Sequence, residues 1–160
     1  MEALTRGSTG LKARRLLLTL VAGFACLGAA PAMAAEGAVQ PSLYTRLGGY
    51  DAIRAVVDDL GARLAADPEL GRFWANRGSD GIAREKQLLV NFIVARAGGP
   101  LYYTGREMKI SHVGMRISER DWQLLMNHVN ATLAKFKVPA AEKADVLAFI
   151  ESTKADIVEK

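Results

Sequence analysis

The 160-residue chain holds a single cysteine, Cys26, and two histidines, His112 and His128. Cys26 lies inside an apolar run near the amino terminus, so the rest of the chain has no disulfide, no thiolate nucleophile and no cysteine-ligated metal. Imidazole chemistry is confined to two positions. Zinc is disfavoured on the same ground, because it takes three or four protein ligands. No stretch alternates apolar and polar residues over the length of a strand, which argues against half-buried sheets. There is also no internal repeat and no low-complexity tract.

What is present begins with a leader pattern. Lys12, Arg14 and Arg15 precede an apolar run of 15 residues, Leu16 to Ala30, and Ala32-Met33-Ala34 offers small residues at a cleavage point before Ala35. This is the form of an export signal, whereas a spanning helix takes about 20 apolar residues. The expected organisation is a signal peptide over 1–34, a flexible lead-in over 35–41 and one folded domain over 42–160. The mature protein is then periplasmic or secreted. Arg14-Arg15 weakly resembles a twin-arginine signal, but Ala13 stands where a polar residue is expected, so the ordinary secretory route fits better. Gly23-Phe24-Ala25 lacks the aliphatic residue that a lipidated cysteine requires three places earlier, so no lipid anchor and no stable membrane association are expected after cleavage.

Cleavage also removes most of the charge excess. Four of the 21 basic residues and one of the 17 acidic ones leave with the leader, so the mature chain carries 17 and 16, net +1. A nucleic-acid partner or an anionic-membrane role has no electrostatic basis in such a chain. The 126 residues that remain are a usual size for one domain with one core.

Within that domain the apolar residues recur at steps of three and four, the period of helices. Ile53, Val56, Val57, Leu60 and Leu64 mark a first helix, entered through Gly48-Gly49 and ended near Asp67-Pro68. A short helical turn over 68–74 leads to a polar loop, Asn76 to Asp80. Ile82, Leu89, Phe92 and Ile93 mark a helix that Gly98-Gly99-Pro100 terminates. Ser118 and Asp121 form a capping signature that opens a helix with core face Trp122, Leu125, Met126, Val129, Leu133 and Phe136. A last helix starts at Pro139 and buries Val146, Phe149, Ile150 and Ile157. The fold class is all-α.

His128 lies roughly 120° around its helix from the apolar stripe, at 100° per residue, and is expected on the solvated side. His112 differs. It follows Gly98-Gly99-Pro100 and Tyr103-Thr104-Gly105-Arg106, and stands one helical turn after Met108 on the same face. A histidine so placed is either a satisfied core residue or a metal ligand. A cofactor that brings four ligands of its own needs only one from the protein, and haem is such a cofactor.

From Ser42 to about Glu159 the sequence resembles the truncated haemoglobins of the first group. The resemblance rests on Leu43-Tyr44, Leu47-Gly48-Gly49, Val56-Val57-Asp58-Asp59, Ala66-Asp67-Pro68, Gly98-Gly99-Pro100, Tyr103-Thr104-Gly105, Met108-Lys109 with His112, and Lys135 to Pro139. It implies a two-over-two helical sandwich around haem b, with His112 as the axial iron ligand and Met108 packed on the porphyrin. Lys86, Tyr103 and Lys109 are the candidate partners of the haem propionates. Tight oxygen binders of the group resemble one another in a tyrosine on the second helix and a glutamine on the long helix. Here those positions hold Gly61 and Leu89. Trp74, Leu60, Leu89, Phe92 and Ile93 are then expected to line an apolar distal pocket, with no catalytic residue assigned. The implied function is binding of a diatomic gas (oxygen, nitric oxide or carbon monoxide), with an electron-donor protein as a further partner. Alternatives are a haem enzyme of nitric oxide dioxygenase or peroxidase type, which the missing distal acid/base groups disfavour, and a haem-free globin-like sensing module.

Overall fold

A computed structural model describes residues 40–159, so the leader, its cleavage point and most of the lead-in lie outside the described residues. Among the described residues, seven helices and one 3-10 turn run in order: α1 (Leu43–Arg46), α2 (Gly49–Ala66), the turn Leu70–Phe73, α3 (Ser79–Arg96), α4 (Met108–His112), α5 (Glu119–Lys135), α6 (Ala140–Glu151) and α7 (Lys154–Ile157). Among the described residues there is no strand, and no helix there is long and apolar enough to cross a membrane.

The apolar face expected for α2 is buried, but α3 buries Val90 and Val94, which lie outside its expected stripe, and leaves Leu89 of that stripe 39% exposed. Ile53 and Val57 of α2 meet Val90 and Val94 of α3 in a buried cluster, edged by Tyr44, Leu47, Tyr50, Ile93 and Leu101. Side chains of this kind contribute about 1.5–3 kcal/mol each when fully buried. α2 also crosses α5, where Trp122, Val129 and Leu133 are buried. At that crossing Asp59 accepts from the Thr132 hydroxyl at 3.0 Å and from Arg63 at 2.7 Å, and also pairs with Lys135. Those donors, Arg63 foremost, hold the Asp59 carboxyl well below the usual carboxylate range.

The Ser118–Asp121 signature is a complete capping box: Ser118 Oγ accepts from the Asp121 amide while the Asp121 carboxylate accepts from the Ser118 amide. Asp121 also receives Arg72 of the 3-10 turn at 2.7 and 2.8 Å, which fastens that turn to the start of α5.

Three expectations are corrected. Phe136 is 38% exposed, because α5 ends at Lys135 and Lys137 turns left-handed at φ 53°. Pro139 is the residue before α6 and not its first. The last helix does not run on to Ile157 but breaks after Glu151: the hydroxyls of Ser152 and Thr153 donate to the carbonyls of Phe149 and Ile150 at 2.6 and 2.7 Å, competing with helix continuation.

His128 is corrected as well, since it is half-buried and its Nε2 lies 2.8 Å from Asp67 Oδ2. Asp67 Oδ1 accepts from the Glu69 and Leu70 amides at 2.8 and 2.9 Å, so the pair ties the end of α2 to α5 and shapes the 3-10 turn. His128 first, then those two amides, bring the Asp67 carboxyl down to about 2, below the ordinary aspartate value. A folded value below the unfolded one gives stability that is complete above about pH 4 and is lost as pH falls toward 2. Asp67→Asn is expected to lower stability at neutral pH and to flatten its decline over that window. Urea midpoints from pH 2 to 7 check this; parallel curves for parent and variant would show that the pair is not linked to folding.

Candidate functional site

The site grows from a five-residue helix. α4 is too short to be stable alone, and its support is tertiary, through packing against α7. Met108 and His112 share its inner face. His112 Nδ1 lies 2.8 Å from the Met108 carbonyl oxygen. A carbonyl only accepts, so Nδ1 carries the proton and, in the neutral ring, Nε2 keeps its lone pair.

The loop before α4 brings aromatic rings together. The Tyr103 hydroxyl donates to the Arg106 carbonyl at 2.8 Å, and its ring folds over Gly105, where a β-carbon would collide with the Tyr103 ring and oxygen. Only glycine fits there. Tyr103 meets Phe92 edge-on at 5.2 Å, and Phe92 meets Phe149 at 5.6 Å. Phe149 was legible in the sequence as a core residue, though not as a partner of Phe92.

The remaining candidates are more dispersed. Trp74 is half-buried beside the 3-10 turn, edge-on to Phe73 at 6.3 Å. Leu60 and Ile93 line an apolar cavity of about 210 Å³ between α2, α3, α5 and α6, walled also by Val56, Val57, Val129 and Ile150. Leu89 is 39% exposed on α3. Lys109 is exposed on α4.

Lys86 is committed elsewhere: its Nζ lies 2.5 Å from Asp58 Oδ1, and its aliphatic stem runs across Gly61, 3.4 Å from where a β-carbon would stand. The absent side chain at 61 is the space that this stem crosses. Gln87 is also engaged, donating to Tyr50 Oη at 3.0 Å and Asn91 Oδ1 at 2.8 Å. Glu85 pairs with Arg77.

An all-helical frame that offers an unprotonated imidazole nitrogen on α4, with Val113 exposed next to it in the chain, fits a planar apolar cofactor that supplies its other metal ligands itself. That defines a haem protein. A profile of the bacterial-like globins matches residues 42–159, and the chain belongs to this family as a group 1 truncated haemoglobin. The group 1 truncated hemoglobin GlbN of Mycolicibacterium paratuberculosis is 33% identical over 109 residues, covering 68% of this chain and 78% of that protein. GlbN of a Nostoc species is 31% identical over 119 residues, 74% of this chain and 98% of that one. Among solved structures, the Fe(III) form of truncated hemoglobin from Tetrahymena pyriformis aligns with a TM-score of 0.68 at 26% identity, covering 75% of this chain and 100% of that one. The two-over-two fold, haem as the cofactor and a diatomic gas as the ligand follow from that membership.

Proposed function

We propose that the protein is an exported gas-binding globin, that His112 is its axial ligand and that the gas meets an apolar distal pocket. The observation that carries this reading is the 2.8 Å bond from His112 Nδ1 to the Met108 carbonyl. It fixes the tautomer, orients the ring and raises the basicity of Nε2, the three things an outer partner does for a metal-ligating histidine. Haem, when bound, supplies an iron centre with a position open to a diatomic gas. Met108 and Phe92 are the residues that would pack on the porphyrin face, and exposed Lys109 is the candidate for a propionate. An electron-donor protein would keep the iron ferrous. With Glu85 paired to Arg77 and Gln87 held by Tyr50 and Asn91, neither of these polar neighbours of Leu89 in the sequence is free to assist peroxidase chemistry.

Protein isolated from the native host tests both parts. It is expected outside the cytoplasm, with an intact mass that begins at Ala35 and a haem absorption band that shifts on reduction under carbon monoxide. A cytoplasmic chain that retains Met1 would refute export. A colourless chain that takes up no haemin would refute the haem reading.

A further inference from the structure

The residues just after His112 turn sharply. Gly114 and Arg116 are both left-handed, at φ 83° and 55°, and a non-glycine residue such as Arg116 holds that conformation only where its surroundings impose it. What imposes it is one side chain from a distant part of the sequence. The Glu159 carboxylate accepts from the Gly114 amide through Oε1 and from the Arg116 amide through Oε2, the latter at 3.0 Å. The Glu159 amide in turn donates to the Ile117 carbonyl at 2.9 Å. Backbone amides around left-handed residues form a concave anion receptor, and here the anion is intramolecular.

The segment that delivers Glu159 is itself anchored. α7 packs on α4, the Lys154 ammonium pairs with Glu119 at the start of α5 at 2.8 Å, and Val158 leaves α7 in extended conformation. The break after Glu151 therefore has a consequence: it aims α7 back at the histidine helix. His112 is held from inside by the Met108 carbonyl and from outside through the turn after it, whose Met115 amide donates to the His112 carbonyl at 3.0 Å.

We propose that Glu159 is a positioning residue for the axial histidine. Its carboxylate locks the 114–116 turn, and thereby the depth and tilt of α4 against the haem. This rests on the reading that His112 ligates the iron.

The test uses the haem-loaded protein and compares Glu159→Gln and Glu159→Ala with Asp156→Asn, which makes the same charge change as Glu159→Gln at an exposed position of α7. The readouts are the iron–histidine stretching band of the ferrous protein by resonance Raman and the rate of haem transfer to an apoglobin acceptor. Both Glu159 variants are expected to shift or broaden the band and to lose haem several-fold faster, with Asp156→Asn at the parental values. A merely structural role would lower the melting temperature and leave the band in place. An unmoved band in both Glu159 variants overturns the proposal. A band that survives His112→Ala overturns it too, and with it the ligation reading; a band lost in His112→Ala but unmoved in the Glu159 variants overturns the positioning role alone.

Discussion

Replacing His112 with alanine is expected to abolish stable haem capture, the largest single effect any substitution in this chain should have. One bond from the protein to the iron is available, and the only other imidazole, His128, is tied to Asp67 at 2.8 Å between α2 and α5. His128→Ala is accordingly expected to weaken the fold while leaving the ferrous carbon monoxide spectrum of the remaining holoprotein unchanged. Haemin titration of both variants separates the roles. Free imidazole added to the His112 variant should restore a haem spectrum, because the cavity left by the ring admits the missing donor. An unaltered ferrous carbon monoxide spectrum in the His112 variant without imidazole would place the ligand elsewhere.

Leu89→Gln is expected to slow oxygen release by at least about tenfold. A hydrogen bond to a strongly polar partner is worth about 1.5–3 kcal/mol, and each 1.4 kcal/mol is about tenfold in affinity. On the proposed reading, none of the described residues nearest Leu89 in sequence, nor Gly61, supplies such a donor in the parent. Leu89 is apolar, Gly61 has no side chain and is crossed by the Lys86 stem, Gln87 is held by Tyr50 and Asn91, and Glu85 is held by Arg77. Carbon monoxide is less polar when bound and should respond less, so the parent's relative affinity should favour carbon monoxide and the variant's should shift back toward oxygen. Stopped-flow oxygen dissociation from both proteins measures this. Slow release from the parent would mean that a polar group reaches the gas after all.

The neighbourhood of His112 was legible where its parts are local. Gly98-Gly99-Pro100 ends α3 and Met108 stands one turn before the histidine, both matters of short spacing, whereas the axial role of His112 was implied by the family resemblance and the fit of the Tyr103 ring over Gly105 emerged only in the structure. The Ser118–Asp121 cap was legible for the same reason: donor and acceptor are three residues apart. By contrast, the periodicity that placed Val129 and Leu133 in the core placed Phe136 there too, since a repeat does not record where the last turn unwinds.

The all-α class, the order of the principal helices and the buried faces of α2 and α5 were written in the chain, whereas α3 buries Val90 and Val94 and leaves Leu89 of its expected stripe 39% exposed. Which polar groups meet was set only on folding: His128 with Asp67, Lys86 with Asp58 across Gly61, and Glu159 with the turn after His112. Helical period reports burial averaged over a face, a property each helix carries alone. A long polar side chain can reach many partners, and which one it takes is set by how helices cross and where the chain breaks between them.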